Sequence, residues 1–257
     1  MKYAKPALKA FLMAIILSCS TTAPELKIMH QVTGPIETNC YLIYDTKTME
    51  AALVDVGDKI DTLVDYIEQH QLDVKYILCT HGHIDHVYNV PYILDKFPEA
   101  KTVIHKLDYD DLWTQGEWVQ ANIDVETLEW MMSEPDIKKF FEFDPAIFGK
   151  PDILIEDGQE ILLGNFTIKA IHSPGHSLGS VCYLVDGKLF SGDVLFYRTV
   201  GRTDVQNSSR EDQIKSVQRL YEILPDSTPV YPGHMQFTDI LSEKTLNSRI
   251  KADTVSL

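Results

Sequence analysis

The sequence predicts an α/β fold in which two β-sheets pack face to face with helices on their outer sides and a helical insertion in the middle. Three observations predict it. Short apolar runs bounded by turn residues come in two groups, over 26–56 and 153–190. Each group leads into a stretch with helical periodicity and then another strand, so the chain reads as two similar halves. Between the halves the composition changes over 106–149 to acidic residues interleaved with Trp113, Trp118, Trp130, Phe140, Phe141 and Phe143. A chain of 257 residues is long enough to bury one large core, and no repeat or low-complexity tract divides it.

At the N-terminus, Lys2, Lys5 and Lys9 precede the apolar run 10–17, which stops at Ser18-Cys19-Ser20. The run is too short to span a bilayer and reads as an export signal over residues 1–19. Ile16-Leu17-Ser18-Cys19 resembles a bacterial lipobox, which implies an exported lipoprotein of the cell envelope, held at the membrane only through a lipid on Cys19, with a soluble periplasmic protein as the alternative. A linker over 20–25 then leads into a single domain over 26–257. The net charge of −15 disfavours nucleic acid as a partner, because phosphate binding needs clustered Lys and Arg, and it favours a small-molecule substrate.

Within the domain, 26–32, 40–44 and 51–56 read as a strand meander. Residues 61–70 carry Leu63, Val64 and Ile67 at helical spacing, and 74–79 reads as a buried strand. The insertion reads as helices whose aromatics bury it against the main body. Beyond it, 153–155, 160–163, 166–171, 181–185 and 188–190 are strands separated by Asp-Gly and Gly-Asn turns. Residues 210–224 form a helix capped by Ser208 or Ser209 and stopped before Pro225. Cys40, Cys79 and Cys182 lie in apolar, strand-like runs and read as buried small hydrophobes rather than disulfide partners.

The chemistry is concentrated in Thr80-His81-Gly82-His83-Ile84-Asp85-His86, where three imidazoles and a carboxylate follow a buried strand directly. Packing does not call for such density. Imidazole nitrogen and carboxylate oxygen are the donors that suit zinc at neutral pH. His81 and His83 face one side of an extended turn while Asp85 and His86 begin a helix, so two metals can share one loop. His176, Asp193 and His234 each lie in a glycine-containing turn after an expected strand, where they can complete two coordination spheres.

These motifs resemble the metallo-β-lactamase superfamily and, within it, the short glyoxalase II-like hydrolases. The resemblance runs from Gly34-Pro35-Ile36-Glu37-Thr38-Asn39-Cys40-Tyr41 through Asp55 to Tyr231-Pro232-Gly233-His234. It implies a four-layer αββα sandwich, with His81, His83 and His176 on one metal, Asp85, His86 and His234 on a second, Asp193 bridging them and Asp55 supporting the ligands from behind. Two divalent ions, zinc with iron or manganese as alternatives, would acidify a shared water to give the nucleophile, with Asp85 and Asp193 orienting it. The expected reaction is hydrolysis of a small acyl substrate, a thioester of the hydroxyacylglutathione type.

His172 has no slot in this pattern and reads as a strand or turn residue, and His30, His70 and His105 as packing or surface residues. Departures from the short-form pattern fall at Tyr197-Arg198-Thr199 and at Met235, where the family carries small residues. Tyr197, Arg198 and Arg202 are candidates for the substrate mouth, Arg202 having Asp204 as a salt-link partner. The rivals are a β-lactamase or lactonase on the same fold, a mononuclear iron persulfide dioxygenase and a lipid-anchored binding module without turnover. Asp193 argues against the first, because lactamases of this fold usually lack an acidic bridge there.

Overall fold

The computed structural model describes residues 23–250; the signal and lipobox expected over 1–19 lie outside them. One sheet consists of β1 (Leu26–Thr33), β2 (Thr38–Asp45), β3 (Glu50–Val54), β4 (Asp73–Leu78), β5 (Lys101–His105) and β6 (Ile153–Ile155), hydrogen-bonded in that order. Its first three strands form an antiparallel meander and the rest run parallel. The other sheet has the order β12 (Thr238–Asp239), β11 (Pro229–Pro232), β10 (Lys188–Gly192), β9 (Val181–Val185), β8 (Phe166–His172), β7 (Glu160–Leu163). Only its β10 to β11 pairing is parallel.

Side-chain alternation explains why the sheets stack. Along β2 every residue is buried, so the strand has to be covered on both faces. Tyr41 and Ile43 enter the core between the sheets, with Val54, Leu78, Val103, Ile168, Tyr183 and Phe190. Cys40, Leu42 and Tyr44 point the other way and pack beneath α1 (Asp61–His70) and α3 (Val90–Lys96) through Leu63, Ile67 and Ile93. The outer face of the second sheet is covered by α8 (Arg210–Ile223) and α9 (Ile240–Leu246), whose Val217, Leu220 and Ile240 meet Cys182, Leu189 and Val230. Helix, sheet, sheet, helix is the four-layer arrangement the resemblance implied. Truncating one of these fully buried aliphatics to alanine costs about 2–5 kcal/mol.

The expected helices over 61–70 and 210–224 are present, the second capped by the Ser209 hydroxyl, which accepts from Asp212 N. Cys40, Cys79 and Cys182 are buried free thiols. The insertion comprises α4 (Lys106–Asp111), α5 (Gln115–Asn122), α6 (Val125–Ser133), α7 (Pro135–Phe141) and a 3₁₀ turn (Pro145–Phe148). Phe140, Phe143 and Phe148 bury against the main body as expected, whereas Trp113 and Trp130 are about half exposed, so burial accounts for only part of its aromatic content. Sequence reading did not separate β5, α3, β12 and α9 from their surroundings. β5 is a run of five residues with no alternation, because both its faces are covered.

Among the described residues no helix is long and apolar enough to cross a membrane.

Candidate metal centre

The C-terminal ends of β3, β4, β8, β10 and β11 open onto one end of the sandwich, and each is followed by a residue of the expected set. Asp55 follows β3, the 81–86 loop follows β4, His176 lies beyond β8, Asp193 follows β10 and His234 lies two residues past β11. A four-residue helix, α2 (Ile84–Val87), turns Asp85 and His86 toward the same space. Two glycines permit the close approach. A β-carbon on Gly57 would lie 1.6 Å from the Asp85 carbonyl oxygen, and one on Gly233 would lie 2.2 Å from Asp193 Oδ1.

The seven residues separated in sequence converge. His83 Nδ1 is 3.1 Å from His81 Nε2 and 2.8 Å from His176 Nε2. His86 Nε2 is 3.2 Å from His234 Nε2 and 3.4 Å from Asp85 Oδ2. Asp193 lies between the two groups, with Oδ1 3.4 Å from His86 Nε2 and Oδ2 3.4 Å from His176 Nε2 and 3.5 Å from His234 Nε2. Donor sets His81–His83–His176 and Asp85–His86–His234 each gather within 4.8 Å, and His81–His86–Asp193 links them.

The outer hydrogen bonds fix which imidazole nitrogens face inward as lone pairs. The Nδ1–H of His176 donates to the Arg202 carbonyl at 2.8 Å, and that of His234 to the Glu37 carbonyl at 3.3 Å. A carbonyl can only accept, so both Nε2 atoms are unprotonated in the neutral rings. His86 Nδ1 donates to Asp55 Oδ2 at 2.9 Å. The Thr80 hydroxyl spends its proton on Asp55 Oδ2 at 2.8 Å and therefore accepts from His81 Nδ1 at 3.0 Å. In the neutral rings the Nε2 lone pairs of His86 and His234 thus face each other across 3.2 Å, those of His81 and His176 both point at His83 Nδ1, and Asp193 Oδ1 is buried without a hydrogen-bond partner. A cation set among these atoms, whether a proton on His86 or His234 or a metal ion, would satisfy them, and the donors are those zinc, iron and manganese accept. Asp55, on left-handed backbone (φ 52°), lies behind the cluster and accepts from Thr80 and His86 rather than facing the inner nitrogens.

Electrostatics agree. Burial, reinforced by neighbouring imidazoles, holds His81 well below the ordinary histidine value, His83 at about 3 and His176 at about 4, so all three are neutral at pH 7. Burial also opposes charge on His86 and His234, yet the Asp85 and Asp193 carboxylates outweigh it and raise both. The second group therefore attracts positive charge while the first offers neutral nitrogens.

A cleft of about 860 Å³ adjoins the cluster; Ile36, Phe196, Val200 and Met235 supply apolar wall, and Arg202, Arg210 and Arg249 supply positive charge. Arg202 is at this mouth as expected, also paired with Asp204 at 2.8 Å. Tyr197 and Arg198 correct the expectation. Arg198 turns toward α9, donating its backbone N–H to the buried Glu243 carboxylate and its guanidinium to Ser242 O, with Tyr197 stacked beneath the guanidinium, so neither lines the cleft. A buried carboxylate needs paired donors, and Arg198 meets that need. Arg198 (φ 64°) and Met235 (φ 67°), at the two departures from the short-form pattern, both occupy left-handed backbone, which small residues and above all glycine favour.

His172 ends β8 and stacks on His105, ring centroids 4.3 Å apart, and His30 packs on Tyr41, all outside the cluster. Sequence reasoning gave no role to Asn39 and Tyr41. Two apart on β2, they share a face and both donate to the Pro232 carbonyl, at 2.9 and 2.6 Å, fixing the turn that carries His234. An Asn and a Tyr at period two on a strand were the available signal. Thr80 was likewise visible only as the neighbour of His81.

The metallo-β-lactamase superfamily profile matches residues 33–234. The hydroxyacylglutathione hydrolase GloC of Haemophilus influenzae is 30% identical over 224 residues, covering 82% of this chain and 92% of GloC. Among solved structures, the BLEG-1 B3 metallo-β-lactamase is 29% identical with a TM-score of 0.67, covering 86% of this chain and 98% of its own. A di-iron-bound form of TTHA1623 is 27% identical with the same TM-score and the same coverages.

Proposed function

The chain belongs to the metallo-β-lactamase superfamily, and on that footing we propose that it is a dinuclear zinc hydrolase of small thioesters of the hydroxyacylglutathione type. The observation that carries the reading is Asp193, a carboxylate set between two donor triads with one buried oxygen unpartnered. His81, His83 and His176 would hold one ion, Asp85, His86 and His234 the other, and Asp193 both. Ions bound there supply Lewis acidity toward an acyl oxygen and bring the ionisation of water near neutral pH.

The protein's own part is to hold neutral imidazoles in fixed tautomers and to offer Asp85 and Asp193 oxygens to the protons of the attacking water. Water adds to the acyl carbon, the carbon–sulfur bond breaks and the thiol leaves needing little protonation. Similarity to GloC supports the thioester class. The arginines at the cleft, in a chain of net charge −15, suit an anionic leaving group.

Metal analysis with a panel of S-lactoylglutathione, nitrocefin and a lactone tests the proposal. Two zinc ions per chain with turnover of the thioester is the expected result. One iron per chain would move the assignment to an oxidoreductase on this fold, preferential nitrocefin turnover to a lactamase, and full metal occupancy without turnover to a binding module. Export on a lipid at Cys19 belongs to the same proposal; fatty-acid label surviving a Cys19→Ala substitution would refute it.

A further inference from the structure

We propose that the start of the helical insertion is a brace for the metal centre, with Asp108 and Gln115 as positioning residues for the His81–His83–His176 triad. Asp108, on α4, is 1% exposed, does not line the cleft and touches no ligand atom. Its carboxylate accepts three hydrogen bonds from two separate loops. Oδ2 takes Gly82 N at 2.9 Å and the Ser177 hydroxyl at 2.6 Å, and Oδ1 takes Gly179 N at 2.5 Å. Gly82 stands between His81 and His83, and Ser177 adjoins His176. Gln115, the first residue of α5, completes the hold, donating from Nε2 to the Gly82 carbonyl at 2.6 Å.

Both polar groups of the Gly82 residue are therefore held by the insertion, one from each of two helices. The backbones are in close contact, since a β-carbon on Gly82 would lie 2.5 Å from Asp108 O and one on Gly179 2.6 Å from Asp108 Oδ1. A third loop is tied to the same element. The Asn207 amide donates to Asp111 Oδ1 and the Gln206 amide to Thr114 Oγ1, both at 2.6 Å. Among the described residues no other carboxylate accepts backbone N–H groups from both the 81–83 and the 176–179 loops. The two loops are more than ninety positions apart, yet His83 Nδ1 of one and His176 Nε2 of the other lie 2.8 Å apart. Without Asp108 three buried donors lose their acceptor, which favours opening of the gap between the loops.

The inference rests on the metal assignment proposed above, so the test has one arm without metal. In the metal-free full chain, Asp108→Ala should speed hydrogen exchange about tenfold or more in the 79–83 and 175–180 segments relative to wild type. It should leave exchange in β11 and around His234 unchanged. In the Co(II)-titrated chain, the same substitution should weaken one of two sites about 10–100-fold and alter its visible bands, the other site keeping wild-type affinity. Asp45→Asn, which unsettles the remote Asn165 turn, controls for lost stability and should change neither site.

Wild-type exchange in both segments of Asp108→Ala, or equal weakening of both sites by Asp108→Ala and Asp45→Asn, overturns the brace. Gln115→Glu, which sets an acceptor against the Gly82 carbonyl, serves if Asp108→Ala does not fold. It should speed exchange at 79–83 alone, and wild-type exchange there overturns the proposal equally. A wild-type chain that fails to bind two equivalents counts against the hydrolase reading, while the exchange arm still decides the brace.

Discussion

Replacing Asp55 by Asn tests whether one buried carboxylate governs both halves of the metal centre. Asp55 is 1% exposed and accepts from Thr80 N, the Thr80 hydroxyl and His86 Nδ1, at 2.8, 2.8 and 2.9 Å. His86 belongs to the second donor set, and the Thr80 hydroxyl orients His81 of the first. Asparagine preserves the size and tolerates the left-handed backbone at this position, so the substitution changes chemistry more than shape. Its single oxygen can serve the two donors now on Oδ2, leaving its amide to face Thr80 N–H. One buried donor then goes unsatisfied, costing about 1–3 kcal/mol, or a melting temperature lower by roughly 5 °C.

Loss of the charge behind His86 should also weaken metal binding about 10–100-fold. Because Thr80 relays the same carboxylate to His81, both sites should weaken, unlike the single-site effect expected at Asp108. Chelator competition with zinc, alongside calorimetric melting of the metal-free protein, reads the two effects separately. Wild-type affinity at both sites would refute the claim that Asp55 fixes the ligand tautomers, whatever happens to stability.

Three further outcomes follow from the same geometry. Asp193→Asn should remove the shared carboxylate charge and lower thioester turnover by ~100-fold or more with fewer than two metals retained; two retained metals with unchanged turnover would contradict its bridging place. Gly233→Ala should lower metal affinity and melting temperature, since its β-carbon meets Asp193 Oδ1 and His86, whereas Gly116→Ala, in a helix with open space around it, should gain up to about 1 kcal/mol.

The third concerns pH. Burial beside His172 depresses His105 to about 4, so the folded ring stays neutral where the unfolded one, near 6.5, takes a proton. The unfolded state then binds more protons, and stability is lost as pH falls from about 6.5 toward 4. For a half-buried ring the loss is about 1–2 kcal/mol. Melting curves of the metal-free protein should show His105→Gln losing less than wild type across that window, and parallel losses would discount the effect.

Much of the site was legible because its residue types are costly elsewhere: three imidazoles and a carboxylate in 81–86 have no packing use, and the turns at 176, 193 and 234 follow recognisable strands. The two-halved pattern of apolar runs likewise determined a layered α/β sandwich, since period-two and period-3.6 burial is written locally in the chain. What only the tertiary structure decided depends on distant partners. Arg198 was read as a substrate contact, yet its partner Glu243 lies on a helix that local pattern did not mark. Asp108 looked like one more acid in an acidic insertion, and its three donors come from loops 26–71 positions away. A buried carboxylate and a solvated one have the same sequence signature; what separates them is which donors the folded chain brings within reach, and that is settled only when the two sheets close over each other.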